Sequence, residues 1–141
     1  MTIEVALSGA ARFPELSPGA LRTWLVALAA ELAPKHDSLG VRFAGDRTMR
    51  ALNRDFRGKD KSTDVLSFPG ELTPDGRHLG DIVISVPTAT RQAEERGHTL
   101  EREVKLLLLH GVLHCLGHDH ESDSGEMERI ERGLRRKWLR R

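Results

Sequence analysis

The segment 104–117, "VKLLLLHGVLHCLG", constrains the fold of this chain more than any other. Its residues from 104 to 116 are apolar nearly all round, not along one stripe, so a helix built from them needs partners on several sides. Such a helix belongs at the centre of a domain. Thr99 is placed to cap its start, and Gly117 stands where a left-handed residue would end it.

With 141 residues, the chain can bury one core but not two, so 1–141 is expected to form a single domain. Hydrophobic residues at 38% and charged residues at 30% exclude collagenous and disordered classes. No window reaches the ~20 apolar residues of a membrane span. The opening "MTIEVALSGA" lacks the basic region of a signal peptide. Cys115 is the sole cysteine and cannot form an internal disulfide, which suits a reducing compartment. The expected location is the cytoplasm, with no membrane partner, and Cys115 is expected to pack as a small apolar side chain.

Along the chain, Ile3, Val5 and Leu7 alternate as in a half-buried strand, and Val41 and Phe43 mark a second. Ser17 and Pro18 read as a cap and first helical residue, followed by Leu21, Trp24, Leu25, Leu28 and Leu32 at helical spacing. Asp46 is expected to cap a short helix carrying Met49, Leu52 and Phe56 inward, ended by Gly58. Val65–Phe68 and "GDIVISV" at 80–86, separated by the turn signal "TPDG", predict a hairpin or meander. Pro87 opens a helix that Gly97 closes. Asp123 and Glu126 have capping-box-like spacing before a last helix with Met127, Ile130, Leu134 and Trp138 inward. The fold class this predicts is α+β: a small mixed four-stranded sheet packed with about five helices.

Seven basic residues lie in the last thirteen positions: Arg129, Arg132, Arg135, Arg136, Lys137, Arg140 and Arg141. They suit a helix C-terminal dipole or phosphate attraction, and Glu128 and Glu131 stand at helical spacings that neutralise part of the charge.

Within "HGVLHCLGHDH", residues 110–120, stand four of the chain's 7 histidines. Two readings compete, a metal site and a solvated histidine patch. Positions four apart on a helix differ by only ~40° in direction, so His110 and His114 can reach one ion. A straight helix would carry His120 ~15 Å away along the axis, so the chain must turn, and Gly117 supplies the turn. Three neutral imidazoles leave tetrahedral zinc one open position, as in a catalytic site, where bound zinc lowers the pKa of water toward ~7. Zinc, copper, nickel and cobalt all suit such ligands. His118 reads as solvent-facing or supporting, and His36, His78 and His98 as surface residues. The spacing is that of metzincin proteases, but Gly111 stands where those carry the glutamate that acts as general base.

The same residues resemble the signature of the YbeY family of bacterial endoribonucleases, with Cys115 and His118 as departures from it. "LNRDFRGKDKSTDVLSFP" at 52–69 and "LGDIVIS" at 79–85 resemble two further blocks of that family. The resemblance implies a zincin-like metal helix and a zinc-dependent, single-strand-specific endoribonuclease. It would act in 16S rRNA 3′-end maturation and ribosome quality control, with rRNA, the small ribosomal subunit and associated factors as partners. It implies one Zn2+ per chain held by His110, His114 and His120, with Arg57 and His114 as catalytic residues.

Phosphodiester cleavage develops charge that a metal and a guanidinium can stabilise. Arg57 offers bidentate phosphate contact, against the alternative of an ion pair with Asp55, Asp60 or Asp64. Lys59 and Lys61 are candidates for tracking an RNA backbone. For proton removal, Asp119, Ser67 and Asp81 are weak candidates. Two rival functions stand beside this one: a zincin-like hydrolase on another substrate, and a noncatalytic ribosome-assembly partner whose metal stabilises the fold.

Overall fold

The computed structural model describes residues 3–73, 76–118 and 125–139. Its elements run β1 (Glu4–Ser8), α1 (Pro18–Leu32), β2 (Ser38–Ala44), α2 (Asp46–Arg57), β3 (Val65–Pro69), β4 (Leu72–Thr73), β5 (Gly76–Ser85), α3 (Val86–Arg96), α4 (Leu100–Cys115) and α5 (Glu126–Trp138). A single 3-10 turn, Ala10–Arg12, follows β1. Four strands form a mixed sheet in the order β1-β2-β5-β3, and the two-residue β4 pairs with β5 off that path. β1, β2 and β5 are parallel, whereas β3 runs antiparallel to β5 and forms one edge, with β1 at the other. The predicted α+β class, the small mixed sheet and the five helices are all present. Thr73 pairs with Gly76 across the predicted turn; Pro74 and Asp75 fall outside the described residues.

β5 lies between β2 and β3 with helices on both faces, and Ile82, Val83 and Ile84 are all buried. An interior strand covered on both faces has no polar side to present, which is why "DIVIS" does not alternate. The larger core lies between one face of the sheet and helices α1, α3 and α4, and takes in Met127 of α5. A smaller one joins Ala44, Met49, Leu66 and Val83, with Leu52 and Phe68 against it, under α2 on the opposite face. α4 packs against α1, α3, α5, β3 and β5. Its buried Val104, Leu107, Leu108, Leu109, Val112 and Leu113 account for the apolar circumference.

Several expectations are corrected. Asp46 is not the cap of α2: Gly45 takes that position, whereas Ser17 and Pro18 hold the cap and first helical positions of α1 as expected, although the Ser17 side chain makes no capping hydrogen bond. Asp46 instead accepts hydroxyl hydrogen bonds from Ser62 at 3.2 Å, Ser85 at 2.6 Å and Thr88 at 2.7 Å, and its second oxygen pairs with Arg91 at 2.9 Å. One carboxylate thereby ties α2, the loop before β3, the end of β5 and the start of α3. Phe56 is 67% exposed and Ile130 37%, not inward. α2 packs over the interior strand β5 through its middle, and its last turn reaches only Phe68 of the edge strand β3, which leaves most of Phe56 in solvent. Asp123 lies outside the described residues; α5 starts after Gly125.

The histidines treated as surface residues are each half-buried. His98 bonds the fully buried Glu103 at 2.6 Å, which also pairs with Arg96 at 2.8 Å. His78 lies 2.7 Å from the Ser38 hydroxyl and 3.2 Å from Asp81. Cys115 packs against Gly80, and burial, helped by the Asp81 charge, pushes its thiol up to about 12, as befits an inert packing residue. α5 is tied to α1 by Trp24, whose indole donates to the Trp138 carbonyl at 3.0 Å while the two rings meet edge to face.

Candidate metal centre

Thr99 caps α4 as predicted, accepting from the Arg102 amide at 3.1 Å. At the other end the Gly117 amide donates to the His114 carbonyl at 2.9 Å and the His118 amide to the Leu113 carbonyl at 3.0 Å. With Gly117 at φ +98, these two bonds form a Schellman motif that stops the helix and turns the chain. A side chain at 117 would be strained in that conformation.

His110 and His114 lie on one face of this last stretch, with ring centroids 4.8 Å apart and planes inclined by 54°. The intervening face of α4 is pressed onto the sheet. A Cβ on Gly111 would sit 2.8 Å from Cδ1 of Ile82. Position 111 therefore points into β5, where a glutamate would have to displace Ile82.

His110 is oriented by a residue that sequence reasoning treated only as a charge partner. Its Nδ1 lies 2.8 Å from Oε1 of Glu131, whose Oε2 accepts from Arg135 at 2.7 Å. Burial pushes the Glu131 carboxyl up, but His110 and Arg135 outweigh burial and hold it below the ordinary range. An imidazole donating from Nδ1 to a carboxylate presents the lone pair of Nε2 outward, the form that ligates a metal. The donor set fits zinc on that chemistry: two imidazoles four positions apart, one with its tautomer fixed. Among the described residues no three His, Cys, Asp or Glu side chains converge. The expected third ligand, His120, and Asp119 lie outside them.

A cleft of about 490 Å³ opens beside His110, lined also by Asp64, Glu131, Arg96, Arg102 and Arg135. Its three guanidiniums are committed to the fold: Arg96 to Glu103, Arg102 to the Leu139 carbonyl, and Arg135 to Glu131. Of the weak base candidates, Ser67 pairs in register with Ile82 and so faces the α4 side, whereas Asp81 is engaged by His78.

Arg57 ends α2, on the opposite face of the sheet from α4, so it is not on the same element or face as the imidazole pair. The loop that follows leads to Asp64, which lines the cleft beside His110. The carboxylates that could have paired with Arg57 are taken. Asp60 is held by Arg50 at 2.8 and 3.1 Å, Asp55 by Arg54 at 3.1 Å, and Asp64 accepts from the Val65 amide at 2.8 Å. No side-chain hydrogen bond or ion pair engages Arg57, Lys59 or Lys61 among the described residues, and all three are exposed. The loop carrying the lysines is nevertheless fixed: buried Asn53 donates to the Lys61 carbonyl at 2.8 Å and accepts the Lys59 amide through its own carbonyl at 3.3 Å. The pinned loop thus presents two lysines with no side-chain partner among the described residues.

The fold and site together define a small α+β protein with an imidazole pair on its central helix. A Thermotoga maritima protein known from its solution structure has the same fold, with a TM-score of 0.60 over 96% of this chain and 89% of that one, at 24% identity. A family model described as Endoribonuclease YbeY matches residues 16–139, and the chain belongs to that family. Proteins named Endoribonuclease YbeY include one from Myxococcus xanthus, 47% identical over 95% of this chain and 46% of its own length. Another, from Solibacter usitatus, is 56% identical over 66% of this chain and 60% of its own length. A third, from Aquifex aeolicus, is 47% identical over 81% of this chain and 76% of its own length. The chain thus spans about half to three fifths of the length of the first two of these relatives. No described helix is long and apolar enough to cross a membrane.

Proposed function

We propose that this chain is a zinc-dependent, single-strand-specific endoribonuclease of the cytoplasm, with 1–141 as one metal-dependent hydrolase domain. In this reading it acts in 16S rRNA 3′-end maturation and ribosome quality control, alongside the small ribosomal subunit and its associated factors. The observation that carries the reading is the His110–His114 pair, with the His110 tautomer set by Glu131, in a chain whose relatives are named endoribonucleases.

α4 is the metal helix, in the manner of zincins, and His110, His114 and His120 would hold the ion. Zinc in that position supplies Lewis acidity and neutralises charge on a phosphate. Glu131 holds His110 in the ligating tautomer and lowers the freedom of its ring. Arg57, with no carboxylate partner among the described residues, is available for bidentate contact with a nonbridging phosphate pair, where it stabilises charge that grows during cleavage. Lys59 and Lys61 attract the flanking backbone. Peptide hydrolysis on this scaffold is disfavoured because position 111 faces Ile82 and bears no base.

The test compares wild type with Arg57→Ala on a single-stranded rRNA fragment, with melting temperature read in parallel. The expected result is loss of cleavage by about 10²-fold or more with melting nearly unchanged, since Arg57 is exposed and has no side-chain partner among the described residues. Equal cleavage by both proteins would remove Arg57 from the reaction. Cleavage by neither would favour the noncatalytic assembly role.

A further inference from the structure

We propose that Phe56, seated on Phe68, is a stacking platform for one unpaired RNA base next to the cationic loop. The proposal rests on the nuclease reading and adds to it a site where a base, not a phosphate, is held. Among the described residues the exposed large hydrophobic side chains are Phe56 and Ile130, and Phe56 is by far the more open at 67%. It continues the inward stripe of α2 but overhangs edge strand β3, where Phe68 is what it meets. The two rings lie 5.3 Å apart at 70°, edge to face. That contact fixes the orientation of Phe56 while leaving most of it in water, so an incoming ring would cost little conformational entropy.

The surroundings select the kind of ring. Arg57 follows Phe56 directly, and Lys59 and Lys61 stand on the loop pinned by Asn53. These three cations are unpaired among the described residues, whereas the acidic neighbours Asp55 and Asp60 are neutralised by Arg54 and Arg50. An exposed aromatic bordered by uncommitted cations is complementary to single-stranded nucleic acid, in which stacked bases alternate with phosphates. Every base has a π-face, so the platform would hold a base without selecting its identity.

The experiment uses zinc-loaded protein and a 2′-O-methyl oligoribonucleotide carrying 2-aminopurine, with its integrity checked after each titration. Wild type should bind and quench the 2-aminopurine. Phe56→Ala should bind about 5- to 150-fold more weakly, lose the quenching and keep the wild-type salt dependence, because no phosphate contact is removed. Phe56→Tyr should restore both binding and quenching. Lys59→Ala should keep the quenching and reduce the salt slope by roughly 1. Binding and quenching by Phe56→Ala equal to wild type, while wild type still cleaves RNA, would overturn the platform and leave the nuclease reading standing. Wild type that neither binds nor cleaves would overturn both. Loss of self-association in Phe56→Ala with unchanged RNA affinity would assign the ring to contacts between copies and overturn the platform.

Discussion

Nδ1 of His110 on α4 lies 2.8 Å from Oε1 of Glu131 on α5, and the Glu131 side chain is only 7% exposed. A buried carboxylate costs free energy unless it is paired, and here it is held between an imidazole and the Arg135 guanidinium. The pair therefore locks α5 onto α4 at the point where the candidate ion would sit. Glu131→Gln keeps the shape and removes the charge. Zinc affinity, measured by competition with a chromophoric chelator, should fall by about 10- to 100-fold. Wild-type affinity in the variant would show that Glu131 serves packing alone.

Asp46 should make the fold acid-sensitive in a defined window. Burial raises its pKa, but hydrogen bonds from Ser85, Thr88 and Arg91 and the Arg91 charge overcome that and lower it from 3.8 to about 2. A depressed carboxylate stabilises the native state above its unfolded pKa, and that contribution is lost as pH falls through the folded value. At about 1.4 kcal/mol per pH unit the electrostatic part would reach ~2.4 kcal/mol. The side chain is 36% exposed, so solvent screening reduces this to ~1 kcal/mol. Asp46→Ala also strands the fully buried Ser85 hydroxyl, for a total loss of about 1–3 kcal/mol at pH 7. Urea denaturation should show the gap to wild type narrowing from pH 4 toward pH 2. A gap independent of pH would contradict the assignment.

Gly111→Ala should destabilise the protein although alanine is the better helix former by about 1 kcal/mol. Its Cβ would meet three atoms of Ile82 at 2.8–3.1 Å, and overpacking of this kind costs roughly 1–3 kcal/mol. Ile82→Val removes the nearest of those atoms, so the cost of Gly111→Ala should shrink in that background, a coupling that a double-mutant cycle of denaturation midpoints measures. Additive effects would mean that α4 can shift away from β5.

Local signals carried much of the backbone. Thr99, Gly58, Gly97 and Gly117 act where their chemistry predicts, because a cap or a left-handed residue depends on groups only a few positions away. The i,i+4 pairing of Arg135 with Glu131 was legible on the same grounds. The bond from Glu131 to His110 was not, since it spans 21 positions and depends on how α5 returns against α4. Helical periodicity placed Phe56 and Ile130 on an inward face but could not say that Phe56 would reach only the edge strand, where Phe68 covers part of its ring. His98 looked like a surface residue among charges because its partner, Glu103, is buried only once α4 packs. Asp46 carried a capping signal, yet its hydroxyl partners come from three separate elements that no spacing rule assembles. For the candidate site, helix geometry predicts that His110 and His114 share a face, as they do, whereas Arg57 was singled out only by the family resemblance. The availability of Arg57 emerged only when Asp55, Asp60 and Asp64 were seen to be engaged elsewhere.

The most direct test is cleavage of a single-stranded rRNA fragment by purified protein in three states: zinc-loaded, chelator-stripped, and stripped then resupplied with zinc, with metal content quantified in each. A metal-dependent endoribonuclease loses cleavage on stripping, regains it with about one zinc per chain, and leaves casein intact throughout. Undiminished RNA cleavage by the metal-free protein would contradict the account.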